Sequence, residues 1–278
     1  MKFVKLEGCG NDYVVVNCFE ETVSEPEKLA ARISDRHFGI GSDGLILLER
    51  SSLADVGMRI FNPDGSEAEM CGNGIRCLAK LAHDSGVLRK SDLKVHTKAG
   101  IMNVELLTRD GRVTGARVNM GKPRLHRSEI PMLGDVSPVV DEPIEIGGEG
   151  FSVTCVSMGN PHCVIFEDNL DDVPLSEWGP MIEHCSLFPK RTNVEFVKVE
   201  SRGEIRVRVW ERGAGATLAC GTGACACVVA GVLNKKTDRK VLCHLPGGDL
   251  EVEWAEHGSV YMAGPVREVY RGELSEEF

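Results

Sequence analysis

"MCGNGIRC" occupies Met70–Cys77 and "ACGTGACAC" occupies Ala219–Cys227. In each, a cysteine stands directly ahead of a glycine-containing turn that opens into an apolar, helix-like run. Cys220 lies 149 positions after Cys71, and the same shift aligns other segments. "GNDYVVVN" (Gly10–Asn17) falls on "GNPHCVIF" (Gly159–Phe166), matching Asn11 to Asn160, and "RIFN" (Arg59–Asn62) falls on "RVWE" (Arg208–Glu211). In both copies 60 positions separate the matched asparagine from the matched cysteine. Farther on, "KAGIMNVELL" (Lys98–Leu107) resembles "PGGDLEVEWA" (Pro246–Ala255), with the offset slipping by one. Two copies of so long a period do not make a solenoid. They predict two similar domains, each made of strands, a Cys-Gly-x-Gly helix and further strands.

Local patterns fill in that plan. β-branched and alternating stretches such as "DYVVVNCF", "MRIFN", "VTGARVNM", "EIRVRVWE" and "SVYMAG" predict strands. "GIRCLAKLAHDSG" and "GACACVVAGVLN" predict helices ending at Gly86 and near Asn234. Shorter helices are predicted in "SEPEKLAARISDR", with Ser24 as cap and Pro26 in the first turn, and in "PLSEWGPMIEH". The stretch Lys122–Gly150, rich in Pro, Gly and acidic residues, reads as the crossover between domains. The domains are accordingly expected at 1–121 and 122–264, with the first completed by a C-terminal strand over 265–278. A length of 278 residues suits two domains of this size.

Charge and cysteine content exclude several roles. A formal net charge of -10 disfavours nucleic acid or an anionic membrane as partner, because both need clustered Lys and Arg. The densest basic stretch, "LNKKTDRK" (Leu233–Lys240), reads as a solvated helix end. The N-terminus has no apolar leader, and no run reaches the ~18 apolar residues of a membrane span, which points to the cytoplasm. Eleven cysteines, an odd number without any C-x-x-C pair, suit reduced thiols in a cytoplasmic chain and argue against a metal site. Most of them, including Cys18, Cys77, Cys155, Cys163, Cys225 and Cys227, read as small buried hydrophobes.

Cys71 and Cys220 read differently. A helix N-terminus presents backbone N–H groups without intrahelical partners and the positive end of the macrodipole. Glycines let a carboxylate approach those groups, and the same field favours a thiolate over its ordinary state near pKa ~8.5. Each motif therefore offers an anion cradle beside a reactive sulfur. Two such motifs facing one another suit inversion of a stereocentre next to a carboxylate. One cysteine as thiolate would remove the α-proton from one face, and the other as thiol would protonate the opposite face. The helix N-termini would stabilise the charge that develops on the carboxylate.

The chain resembles the diaminopimelate epimerases along nearly its whole length. The resemblance is carried by "GNDYVVV", "GIGSDGL" (Gly39–Leu45), "FNPDGSEAEMCGNGIRC" (Phe61–Cys77), "GNPHCV", "RTNVEF" (Arg191–Phe196) and "ERGAGATLACGTGACA" (Glu211–Ala226). It implies an α/β (α+β) fold of two pseudo-symmetric domains, each a barrel-like, mostly antiparallel sheet around a central helix, with the active site in the cleft between them. It implies Cys71 and Cys220 as the acid/base pair, with the N–H groups of Gly72, Asn73, Gly221 and Thr222 on the reacting carboxylate. Asn62, Asn160, Asn193 and Arg212 would hold the distal end of the substrate. Glu211, His162 and Asn11 would lie around the reacting amine and the cysteines, with Glu211 and His162 tuning protonation. The implied activity is cofactor-independent interconversion of L,L- and meso-diaminopimelate in the supply of lysine and peptidoglycan precursors, by a homodimer. Gly44, Cys9 and Tyr13 depart from the commoner family residues, and Cys9 is expected to be an oxidation target. The rival readings are a two-cysteine racemase for proline, hydroxyproline or a polar amino acid, and a thiol redox protein closing a Cys71–Cys220 disulfide. A pyridoxal-phosphate racemase lacks a lysine in a recognisable cofactor setting.

Overall fold

The run Tyr13-Val14-Val15-Val16 is buried at every position rather than at every second one. Successive side chains of a strand point to opposite faces, so continuous burial means a sheet covered on both sides. In the computed structural model, which describes residues 1–275, Val14 and Val16 pack with Ala30, Ile33, Leu45, Leu47 and Phe61 on one face. Tyr13 and Val15 turn toward a central helix on the other. The last three positions of the expected return strand lie outside the described residues.

The chain divides into two compact units: Met1–Asn119 joined by the segment from Ala263 onward, and Met120–Met262. The first unit contains β1 (Lys2–Gly8), β2 (Asn11–Asn17), α1 (Pro26–Ser34), β3 (Gly44–Glu49), β4 (Val56–Phe61), β5 (Glu67–Ala68), α2 (Gly72–Asp84), β6 (Asp92–Thr97), β7 (Gly100–Arg109) and β8 (Arg112–Asn119). The second contains β9 (Glu142–Ile146), β10 (Glu149–Ser157), β11 (Pro161–Phe166), α3 (Leu175–Glu183), β12 (Asn193–Ser201), β13 (Glu204–Glu211), β14 (Gly215–Thr217), α4 (Gly221–Leu233), β15 (Lys240–Leu245) and β16 (Gly248–Trp254). Along β17 (Val260–Pro265) the chain re-enters the first unit, and β18 (Arg267–Glu273) follows.

Within the first unit the order is β18-β1-β2-β3-β4-β6-β7-β8, antiparallel except for the parallel pairs β2–β3 and β4–β6. In the second it is β9-β10-β11-β12-β13-β15-β16, antiparallel except for β11–β12 and β13–β15. The two sheets thus repeat one order of pairings. α2 and α4 are each 13 residues long and start 149 positions apart, as the sequence offset requires. Ser85 caps α2 and Gly86 follows at φ +75°, a backbone state that glycine adopts without strain.

Both central helices are buried nearly all round. α4 carries no polar stripe, so it suits an interior position on every side. α2 carries Arg76 and Lys80 inside, and each is met. Arg76 donates to the carbonyls of Gly72 (3.0 Å) and Pro265 (3.2 Å), and Lys80 donates to the Val113 carbonyl (2.9 Å) and pairs with Asp84 (2.7 Å). A buried cation without such partners would be costly.

Three expectations change. Ser24 does not cap α1: Pro26 takes the first helical position, so Glu25 is the cap and its carboxylate takes Lys28 at 2.5 Å. Proline's fixed φ sets where the helix starts and therefore which residue precedes it. The stretch 122–150 is more than a connection. Ile130, Met132, Val139 and Ile146 join the second unit's core, and buried Arg127 donates to the carbonyls of Leu133 (2.5 Å) and Val136 (2.7 Å). Those apolar positions follow no helical or strand period, which is why they read as linker. Cys9 is 2% exposed with Arg76 Nη2 at 3.6 Å from its sulfur, so it lacks the access an oxidation target needs.

Candidate active site

Cys71 is the N-cap of α2 and Cys220 the N-cap of α4, each with extended φ and ψ. Each sulfur accepts the backbone N–H three residues on, Gly74 to Cys71 and Gly223 to Cys220, both at 3.4 Å. The first intrahelical bonds run from Ile75 to the Cys71 carbonyl and from Ala224 to the Cys220 carbonyl, both 2.9 Å. The N–H groups of Gly72, Asn73, Gly221 and Thr222 precede those bonds, where a helix has no partner of its own to offer.

In the first unit Asn11 is fixed at both ends of its amide. Its Nδ2 donates to Asp43 at 3.2 Å, and its Oδ1 accepts from Asn73 Nδ2. Asp43 is itself held by Arg36 at 2.9 Å. Asn73 Oδ1 is buried without a hydrogen-bond partner, an acceptor of the kind a bound ammonium would take. Tyr13 is buried with its hydroxyl 3.1 Å from Cys71 Sγ.

The second unit builds the same positions from other residues. Asn160 donates to Thr222 Oγ1 at 3.2 Å and accepts from His162 Nε2 at 3.0 Å. Thr222 Oγ1 lies 3.5 Å from Cys220 Sγ. His162 Nδ1 meets Glu195 Oε1 at 2.7 Å, with both side chains fully buried. A chain of four contacts therefore runs from Glu195 to the Cys220 sulfur. Burial raises the Glu195 carboxyl, while His162 opposes that shift. Burial also pushes the Cys220 thiol well up, and the negative charges of Glu211 and Glu195 push the same way.

The remaining expected residues lie at strand ends and in the turns beside them: Asn193 opens β12, Glu211 closes β13, and Arg212 and Asn62 directly follow β13 and β4. Asn193, 3% exposed, accepts the Arg212 N–H at 2.9 Å and donates to the Pro161 carbonyl at 2.7 Å, so both ends of its amide brace the backbone. Arg212 is exposed and donates one side-chain N–H to the Lys190 carbonyl at 3.0 Å. Glu211 accepts from Thr217 Oγ1 at 2.6 Å. Asn62, at the position matched to Glu211, is exposed and donates to Ser66 Oγ at 2.9 Å. Cys71, Asn11, Asn73 and Tyr13 come together in the first unit. Cys220, Thr222, Asn160, His162 and Glu195 come together in the second. Asn62 is held within its own turn, by Ser66 and Gly65. Glu195 and Asp43 had no role assigned from the sequence, although both stand inside segments that resemble the epimerases.

Among the described residues no three His, Cys, Asp or Glu side chains converge as a metal site, no disulfide forms, and no helix is long and apolar enough to cross a membrane.

A family model for diaminopimelate epimerase matches residues 3–126 and 154–269, the stretches that hold both cysteine helices and their strands. The chain belongs to the diaminopimelate epimerase family. A diaminopimelate epimerase of Pelotomaculum thermopropionicum is 58% identical over 276 residues, covering 98% of each chain. One from Moorella thermoacetica is 55% identical over 276 residues, covering 99% of each. In fold, the chain resembles a probable proline racemase from Agrobacterium radiobacter (TM-score 0.73, 16% identity, 99% and 93% of the two chains). It also resembles a hydroxyproline epimerase from Agrobacterium vitis (TM-score 0.71, 14% identity, 98% and 91%). The diaminopimelate epimerase fold is thus shared with chains of very different sequence.

Proposed function

We propose that this chain interconverts L,L- and meso-diaminopimelate by proton transfer at the α-carbon, with Cys71 and Cys220 as its two acid/base groups. The observation that carries this reading is the pair of matched N-cap cysteines, each with its sulfur on its own helix's third N–H. In one direction a cysteine thiolate takes the α-hydrogen as a proton and becomes a thiol. The C–H electron pair passes into the carboxylate, and the other thiol gives its proton to the opposite face and becomes a thiolate. The reverse reaction starts from that exchanged state, so bonds and protons balance without a further reactant.

The N–H groups of Gly72, Asn73, Gly221 and Thr222 hold the carboxylate as charge builds on it. Asn73 Oδ1 accepts from the reacting ammonium, beside Asn11. Glu211 and His162 set protonation near Cys220. Arg212 keeps donors for the distal carboxylate, which a guanidinium grips with two parallel bonds, while Asn62, Asn160 and Asn193 frame that end. Family membership supports a place in the supply of lysine and cell-wall peptide precursors, in the cytoplasm, by a homodimer.

Proton NMR of L,L-diaminopimelate in heavy water with reduced protein tests this. The α-proton signal is expected to disappear with the native chain. With Cys71→Ala or Cys220→Ala the rate should fall by roughly 10²–10⁴-fold or more, the usual contribution of a positioned acid or base. Undiminished exchange in either variant overturns the two-cysteine assignment. No exchange by the reduced, folded native chain overturns the substrate and turns attention to other amino acids.

A further inference from the structure

Tyr13 and His162 stand at matched positions, 149 apart. Tyr13 pairs with Gly44 across the parallel β2–β3 pair, and His162 pairs with Asn193 across β11–β12. Each points toward the N-terminal end of its own unit's cysteine helix. The two side chains then part ways. Both nitrogens of His162 are occupied by Glu195 and Asn160, and it connects to Cys220 through Asn160 and then Thr222. The Tyr13 hydroxyl contacts the Cys71 sulfur directly at 3.1 Å, from a ring that is 5% exposed.

On the reading of Cys71 as an acid/base group, we propose that Tyr13 is a catalytic hydrogen-bond donor that stabilises the Cys71 sulfur in its anionic form, from a strand position whose counterpart in the second unit, His162, does not touch its cysteine; there the hydroxyl on the sulfur is that of Thr222, at 3.5 Å. Direction follows from chemistry. A thiol S–H is a weak donor, whereas a phenol donates well, and a bond to an ionised acceptor is about twice as strong as one between neutral groups. Burial first, and then the neighbouring sulfur of Cys71, hold the Tyr13 phenol well above its usual range, so it keeps the proton it donates. The other ionisable groups around the pair are already engaged or are thiols. Asp43 is bound to Arg36 and Asn11, and Arg76 is bound to the Gly72 and Pro265 carbonyls. Glu7 pairs with Arg267 at 3.1 Å, and the remaining groups are Cys77 and Cys9. The Tyr13 hydroxyl is therefore the side-chain donor aimed at this sulfur, alongside the Gly74 N–H.

The test is alkylation of Cys71 by iodoacetamide in the native chain and in Tyr13→Phe, followed residue by residue by mass spectrometry at pH 7 and at pH 10. Only the thiolate reacts. Loss of the donor should slow Cys71 at pH 7 by about tenfold or more, the order expected for one hydrogen bond to an ionised group. At pH 10, where ordinary thiols are ionised whatever stands nearby, the two rates should agree within about twofold. An equal rate at pH 7, or the same slowing at both pH values, overturns the proposal, the second because it reports access. If Tyr13→Phe fails to fold by circular dichroism, 3-fluorotyrosine replaces the three tyrosines of the native chain. As a more acidic phenol it should speed Cys71 at pH 7, and an unchanged rate overturns the proposal equally. Failure here leaves the acid/base reading standing, because that reading fails only through undiminished hydrogen exchange in the cysteine variants.

Discussion

Glu195 and His162 lie wholly out of solvent, and the asparagine between them and Thr222 fixes how their protons are placed. Asn160 donates its amide N–H to Thr222, so its oxygen must receive the His162 Nε2–H. Nδ1 then shares a single proton with Glu195 Oε1, and Thr222 is left with its own hydroxyl proton for the Cys220 sulfur. Removing the carboxylate while keeping its size should strand a buried nitrogen. Glu195→Leu is expected to lower stability by about 1–3 kcal/mol, and Glu195→Gln, which still offers His162 a partner, by clearly less. Urea unfolding of the three proteins measures this, and equal losses in both variants would refute it. The sequence shows His162 through "GNPH", because that segment resembles the epimerases. It does not show Glu195, since a glutamate in a strand ordinarily reads as facing water. Here positions 194–197 are buried on both faces of the sheet, so the expected outward face does not exist.

At the scale of helix and strand, the two cysteine helices rest on different floors. A Cβ at Gly74 would stand 2.8 Å from Ile46 Cδ1, and one at Gly223 would stand 2.7 Å from Glu195 Oε1 and 3.3 Å from Cys220 Sγ. Ile46 and Glu195 are themselves 149 positions apart, so one location holds a methyl group in the first unit and a carboxylate in the second. An isoleucine tip can turn aside, whereas Glu195 is pinned by His162. Alanine gains about 1 kcal/mol over glycine in a helix interior, and crowding a packed core costs about 1–3 kcal/mol. Gly223→Ala should therefore be destabilising by up to about 2 kcal/mol and more harmful than Gly74→Ala. Melting temperatures of the two variants decide it, and the reverse order would contradict the pinned carboxylate. The helices themselves are legible from "GIRCLAKLAHDSG" and "GACACVVAGVLN", although each begins two residues earlier, at Gly72 and Gly221, directly after its cysteine. The burial of Arg76 and Lys80 is not, because charges on a helix usually mark its wet face, and only the carbonyls they find in the fold explain it.

For the molecule as a whole, the sequence offset carried most of the architecture, since matched blocks in one order imply matched strands in one order. The irregular core of 122–150 escaped it, because apolar residues without a period announce nothing. The offset also cannot say how a sheet ends. β18 pairs antiparallel with β1, and β17 pairs with β8, so the returning segment lies on both edges of the first unit's sheet. A chain stopped at Gly264 keeps β17 but for its last residue and loses β18, and with it the pairing on β1. Backbone amides of β1 are expected to exchange with heavy water at least about tenfold faster than in the full chain, because edge strands open at lower free energy than paired ones. Protection in β12 should change far less, and intact protection in β1 would count against the closure.

The same return segment sets an order in time. A ribosome delivers the first 119 residues early, yet β17 and β18, which cover their two sheet edges, emerge only after the second unit. The second unit is contiguous and can be complete while the first still carries exposed edges, the condition under which nascent chains pair wrongly. The half that is made first is thus the half that is finished last.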